Sequence, residues 1–263
     1  MTADKVLVTG ATGFLATHVV DVLLSKGYKV IGTARSEAKY EPILKEFQSK
    51  YPQGSISFEI VKDMASANAF DHVLKNHTDI KHVIHTATPV VVGLDKSPEE
   101  AYRTPAVEGA KNILSATKKY APQVEHFVFT SSQGVMLEFN KPIQPRINEG
   151  YWSSLTWDKV GDNEILAYCC SKKLAEEAAW EFMKTESPNF ALTTLTPPYL
   201  FGPQVFDSQV GEKLNASNQV ILGALSIDPT STDAQKGNSN LYVDVRDVAF
   251  SHVAPLERLP LVM

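Results

Sequence analysis

The stretch Lys5-Val6-Leu7-Val8-Thr9-Gly10-Ala11-Thr12-Gly13-Phe14-Leu15-Ala16, KVLVTGATGFLA, passes from a short apolar run through two glycines into a helical pattern. A strand that ends in a glycine turn and feeds a helix is the first half of a strand-helix-strand unit. The same rhythm then repeats. The runs YKVIGTA, SISFEIV, KHVIHTA, EHFVFTSS and FALTTLTP alternate with helical patterns at 13–27, 36–51, 66–77, 97–120 and 165–186. Such alternation predicts parallel strands joined by crossover helices, hence an α/β protein with a doubly wound parallel sheet over most of residues 1–200. Several strands read as almost continuous apolar runs, as expected when both faces of a sheet are covered. In the fourth helix Val107, Ala110, Ile113, Leu114 and Thr117 recur at steps of three and four, which defines the face that packs on the sheet.

Past Pro197 the alternation breaks into PPYLFGPQ, a helical stretch near 207–225, a polar loop near 228–240 and a strand-like LYVDV. The chain of 263 residues is long enough to bury a large core, and 43% hydrophobic with 21% charged residues is the composition of a globular protein. A net charge of −5 without a basic block argues against nucleic acid as a partner, and no apolar run is long enough for a membrane span. The two cysteines, Cys169 and Cys170, are adjacent, which excludes a disulfide framework and points to a reducing, cytoplasmic setting. His72/His77 and His82/His85 have no carboxylate or cysteine at ligand spacing, so no metal is expected. MTADKVLVTG enters its first strand almost at once and leaves no room for a leader.

In the opening strand-helix turn, Gly10 makes the tight turn and Gly13 lets the backbone approach a pyrophosphate, while the helix N-terminus supplies oriented amides and partial positive charge. Ala16 replaces the third glycine of the dinucleotide fingerprint, and its single methyl still permits close helix packing. The second strand ends in GTARSEAK. An NAD site usually carries a carboxylate there for the ribose 2′-hydroxyl, whereas this chain has Arg35, with Lys39 one helical turn later. Two cations favour a 2′-phosphate, hence NADPH or NADP+. Asp63, after the third strand, is read either as an acceptor for the adenine amino group or as a cap for the following helix.

The fifth strand ends in Thr130-Ser131-Ser132, at the edge where open α/β sheets form their ligand crevice. Tyr168 and Lys172 stand four residues apart in AYCCSKK, so on a helix they share a face. A nearby cation lowers a phenol from about 10 toward neutrality, and such a tyrosine can exchange a proton near pH 7. The pair is weak evidence alone. Its order along the chain, after a glycine turn, a basic strand-two tail and a strand-five serine, gives it weight.

TGATGFLA, GTARS, HTATP, PAVEGAKNIL, TSS, AYCCSKKLAEEAAWEF, PPYLFGPQVFD and YVDVRDVA recur in this order, and with them the chain resembles the extended short-chain dehydrogenase/reductases over roughly 1–250. Within that family it is similar to the fungal NADPH-dependent methylglyoxal reductases and related carbonyl reductases, and less closely to the plant dihydroflavonol reductases. The resemblance implies a Rossmann sheet and a relay of Ser132, Tyr168 and Lys172. Ser132 would hydrogen-bond the substrate carbonyl and Tyr168 would give the proton as hydride arrives from the nicotinamide. Lys172 would hold the nicotinamide ribose and depress the tyrosine. Cofactor positions implied are Gly10, Thr12, Gly13, Phe14, Leu15, Arg35, Lys39, Asp63, Met64, Ala87, Thr88, Tyr168, Lys172, Pro197 and Leu200. The substrate wall carries Val90, Gln133, Leu137, Ile165 and Tyr199.

Glu108 stands where many extended members have an asparagine that orders a relay water, although the dihydroflavonol reductases share the glutamate. The tail FSHVAPLERLPLVM does not resemble the family's continuation. The expected domains are therefore an NADP-binding unit over 1–197 and a small, truncated substrate lobe over 198–263, with 241–254 returning to the first unit. The activity implied is reduction of small-molecule aldehydes and ketones by a monomer or homodimer. Two alternatives stay open: epimerisation or dehydration with tightly held NAD on the same scaffold, and a catalytically silent dinucleotide-binding protein.

Overall fold

The computed structural model of the chain describes residues 4–88, 96–139, 147–211, 214–228, 230 and 241–257. Six parallel strands, β1 (Lys5–Thr9), β2 (Lys29–Ala34), β3 (Ile56–Ile60), β4 (Ile80–His85), β5 (His126–Thr130) and β6 (Ala191–Leu195), form one sheet in the order β3-β2-β1-β4-β5-β6. The order reverses between β1 and β4, where Leu7 pairs with Val83 and Thr9 with His85. A doubly wound sheet opens its crevice at the carboxyl ends of the strands beside this reversal. The loops after β1, β4 and β5 therefore face the site.

Helices cover both faces. On one side α1 (Phe14–Ser25) and α2 (Glu37–Lys50) pack through Val19, Val20, Leu23, Ile43 and Phe47 onto Val6, Val8 and Val128 of the sheet. On the other, α3 (Asp71–Asn76), α4 (Thr104–Tyr120) and α5 (Glu164–Glu186) pack through Val73, Ile113, Leu114, Ala175 and Ala179 onto Leu7, Val83, Phe127 and Phe129. Alternate residues of β1 and β5 thus serve opposite cores, which follows from the two-residue period of a strand. Burial of these side chains supplies most of the driving force for the fold.

Three helical stretches depart from the sequence expectation, the one near 207–225 because only a 3₁₀ turn, Asp207–Gln209, and a helix from Ala216 form there. The third helix is only Asp71–Asn76, because Asp63–Phe70 is taken up by successive turns, with Asn68 at φ 60° in the left-handed region. The fourth begins with a π turn, Glu99–Arg103, before α4 proper. Pro105 explains it: the ring has no N–H to bond four residues back and crowds that carbonyl, so the preceding turn widens.

After β6 the chain forms β7 (Tyr199–Phe201), α6 (Ala216–Leu225), β8 (Tyr242–Asp244) and α7 (Val245–Val253). β7 and β8 pair in parallel as a separate two-stranded sheet. Asp244 caps α7 by accepting from the Arg246 amide at 2.8 Å, and Val245, Val248, Ala249 and Val253 enter the same core as α1.

Candidate active site

At the end of β1, Gly10 has φ +65°, and a Cβ there would lie 3.0 Å from the Ala87 Cα after β4. The turn therefore needs glycine both for its conformation and for the close approach of two loops. Thr33 of β2 braces it: its hydroxyl accepts from the Gly10 amide at 3.1 Å and its carbonyl from the Ala11 amide at 2.9 Å. Gly13 is the N-cap of α1 and no side chain caps this helix start, which leaves the amide donors of Phe14 and Leu15 in the first turn open toward the crevice. Ala16 is buried in the core beneath, as a close-packed third fingerprint residue requires. Arg35 and Lys39 follow β2, both exposed, and among the described residues neither is in an ion pair.

Beside β4, the Ala87 amide donates to the Thr9 hydroxyl at 3.2 Å, and the Thr9 hydroxyl also bonds His85 Nδ1 at 2.8 Å. Asp63 uses its carboxylate in its own turn, accepting from the Ala65 amide and the Ser66 hydroxyl at 2.9 Å each, and it does not cap α3, which begins eight residues later with Phe70 as its N-cap. Met64 is braced against α4, its sulfur lying 3.1 Å from where a Gly109 Cβ would stand and its carbonyl accepting from Asn112 at 2.9 Å. Glu108 is tied to Lys111 at 2.9 Å on α4.

Ser132 caps a 3₁₀ turn, Gln133–Met136, its hydroxyl oxygen accepting from the Gly134 amide at 3.1 Å. The turn is held against the end of β6, where the Gln133 amide donates to the Pro197 carbonyl at 2.9 Å. Its neighbour Ser131 is 3% exposed and its hydroxyl has no partner among the described residues. A buried polar atom without a partner costs free energy unless a ligand or water meets it.

α5 starts under Asn163, whose side chain accepts from the Ile165 and Leu166 amides at 3.0 Å each. One turn on, Tyr168 is partly buried with its phenol near Ser132; burial pushes it up to about 12, with Ser132 acting downward and Cys169 and Tyr199 upward. Lys172 is 2% exposed and its Nζ donates to the Thr130 carbonyl at 2.6 Å. Burial brings it down to about 8, opposed by the carboxylate of Glu176. The expected drop of the Tyr168 phenol toward neutrality is not what this geometry gives: burial outweighs the downward pull of Ser132, and desolvation decides the sign.

Ser132, Tyr168 and Lys172 are thus brought together at the end of β5, with Tyr199 of β7 close enough to act on Tyr168. Leu200 packs in the α1 core, Leu137 offers its carbonyl to Ser153 at 2.7 Å, and Ile165 is 61% exposed at the mouth of α5. Thr12 and Thr88 are partly buried on either side of the Gly10 turn. Val90 lies outside the described residues. Sequence reading did not single out Thr130, Glu176, His85 or His252. Thr130 and Glu176 lay inside quoted motifs and His85 among the histidines, but only tertiary contacts give them roles.

Residues 6–260 match the model of the NAD dependent epimerase/dehydratase family. The chain belongs to that family. The match passes the point near residue 250 where the resemblance was expected to end, and Phe250–Val253 continue α7 without a break. A putative NADPH-dependent methylglyoxal reductase of Candida albicans is 39% identical over 260 residues, 97% of this chain and 75% of the relative. The structure of the yeast methylglyoxal/isovaleraldehyde reductase complexed with NADPH, from a protein 39% identical, superposes with a TM-score of 0.87 over 97% of this chain and 74% of that one. Alfalfa vestitone reductase superposes at 0.69 with 27% identity over 97% and 73%. Among the described residues no helix is long and apolar enough to cross a membrane.

Proposed function

We propose that the protein is an NADPH-dependent reductase of small aldehydes and ketones, including 2-oxoaldehydes and diketones. The observation that carries this reading is the junction at the end of β5, where a buried Lys172 and a Tyr168 near Ser132 meet beside the glycine turn that opens α1. The resident groups fit the cofactor. Gly10 lets the loops after β1 and β4 close on each other, the first-turn amides of α1 suit a diphosphate, and Arg35 with Lys39 suits a 2′-phosphate. Ser131 offers a buried hydroxyl without a partner among the described residues at the same strand end.

When bound, NADPH supplies the hydride that reduces the carbonyl carbon. Tyr168 remains protonated through neutral pH, because its phenol is pushed up to about 12, so it holds the proton that the developing alkoxide needs. Ser132 polarises the carbonyl by donation while its oxygen accepts from Gly134. Lys172 contributes positive charge and orients the ribose hydroxyls. Gln133, Leu137, Ile165 and Tyr199 would line the approach to Tyr168, Tyr199 reaching it from β7. The basic tail after β2 weighs against the epimerase reading, which calls for retained NAD.

The test is NADPH oxidation with methylglyoxal and a panel of ketones. Tyr168→Phe should reduce kcat at least about 100-fold, the span typical of losing a general acid. Equal rates for wild type and variant would overturn the relay, and NADPH binding without turnover of any carbonyl would overturn the reductase. Arg35→Glu should weaken NADPH while sparing NADH. An unchanged ratio would remove the 2′-phosphate role.

A further inference from the structure

We propose that His252 is a positioning residue for Lys172 and acts on it through Thr130, across the thickness of the sheet. The inference rests on the assignment of Lys172 to the relay.

Thr130 closes β5 with its side chain toward the α1 and α7 face, whereas Phe127 and Phe129 on the same strand point toward α4 and α5. Its carbonyl accepts from Lys172 Nζ at 2.6 Å, and its hydroxyl bonds His252 Nε2 at 2.8 Å. His252 Nδ1 lies 2.7 Å from the Val248 carbonyl one turn back on α7. A carbonyl only accepts, so Nδ1 carries the proton, Nε2 is the acceptor, and the Thr130 hydroxyl donates. One residue is therefore gripped from both faces: by a lysine of α5 at its carbonyl and by a histidine of α7 at its hydroxyl.

The grip is dry and its protonation state is set. His252 is 0% exposed, and burial together with the Lys172 charge holds it down to about 4, so the ring stays a neutral acceptor at neutral pH. Among the described residues the charged and titratable groups around Lys172 are Glu176 and, one turn back, Tyr168 on α5, His85 on β4 and His252 on α7. His85 is likewise buried and held down to about 3. Only Glu176 opposes the lysine charge, and no hydrogen bond joins the two among the described residues, which leaves the Thr130 carbonyl as the fixed acceptor that sets where Nζ sits. A lysine side chain has many rotamers, so a single well-placed acceptor decides its position. Displacement of a catalytic group by about 1 Å costs on the order of 100-fold. His252 touches neither substrate nor cofactor, being wholly buried, and its effect is on the strand end alone.

Thr130→Val keeps the carbonyl and shape but deletes the hydroxyl; His252→Leu deletes the ring acceptor; Thr130→Ser restores the hydroxyl. Each is assayed for kcat, for KM of NADPH and carbonyl, and for the alkaline limb of the rate profile, with the fold checked by circular dichroism. Thr130→Val and His252→Leu should each lower kcat about 10-fold and shift the alkaline limb, Thr130→Ser should stay within about 2-fold of wild type, and the double variant should be no worse than either single, because both remove one bond. Folded singles with wild-type kcat, KM and limb would overturn the proposal. Losses that multiply in the double variant would do so too, as two separate packing defects. If His252→Leu does not fold, Thr130→Val against Thr130→Ser decides alone. Tyr168→Phe run alongside separates the two ideas: an active Tyr168→Phe sinks the relay itself, whereas an inactive one with unaffected Thr130→Val sinks only the role of His252.

Discussion

Lys172 at 2% exposure loses its proton near pH 8, well below the ordinary 10.5, because burial disfavours the charge more than Glu176 supports it. A depressed base is charged below its folded value and neutral above it, so a step that needs the cation should fade as pH rises through about 8. Glu176→Gln removes the supporting charge and should move that alkaline limb of kcat/KM downward, with acidic-side rates nearly unchanged. A limb that stays in place would show that Glu176 does not sustain the lysine. Glu176 is itself 4% exposed, one carboxylate oxygen accepting from Trp180 Nε1 at 3.3 Å and the other without a partner among the described residues. At this scale the spacing of Tyr168 and Lys172 was legible, and so was Ser132. The direction in which Tyr168 moves was not, because it depends on how much protein surrounds the phenol, and a four-residue interval carries no information on burial.

Among the elements, the turn between β1 and α1 is the least forgiving. Gly10→Ala imposes a left-handed backbone on a residue with a Cβ, at about 1–2 kcal/mol, and pushes that Cβ to 3.0 Å from the Ala87 Cα. The melting temperature should fall by several degrees and NADPH binding, followed by fluorescence titration, should drop more than tenfold. Retained affinity would mean that the turn does not cradle the diphosphate. Helices with their own apolar period, such as α4 and α5, were readable from sequence. β7 was not: Tyr199–Phe201 is three residues between prolines and a glycine, and it becomes a strand only by pairing with Tyr242–Asp244 about forty residues on. The third helix was overdrawn because the turns around Asp63 and Asn68 have no periodic signature. His252 escaped notice for a related reason, since its partner Thr130 is distant in sequence and on another element.

For the molecule as a whole, His18, His82, His85, His126 and His252 are all buried and all held below the ordinary 6.5 by desolvation. Unfolding lets each bind a proton more readily, so the unfolded state takes up more protons below pH 6.5 and stability falls with pH in that range. His85 and His252, held at about 3 and about 4, should each cost on the order of 3 kcal/mol by pH 4. Urea midpoints should hold steady from pH 8 to 7 and decline steeply from 6.5 to 4; a flat acid branch would contradict the burial of these rings. The sheet and its order of helices were foreseeable because every crossover carries the same alternation, while the seating of Val253 and Leu256 was not, since their fit lies in the α1 core rather than in a motif. Cys169 and Cys170 are the chain's two thiols, both buried, the first packed on Gly134 and raised to about 12, the second also raised. A reductase whose substrates are electrophiles works in the presence of alkylating agents of its own choosing, and here it offers them no reactive sulfur. A thiol reagent should therefore titrate none in the native protein and both after denaturation, and prolonged turnover of methylglyoxal should leave no adduct on either cysteine.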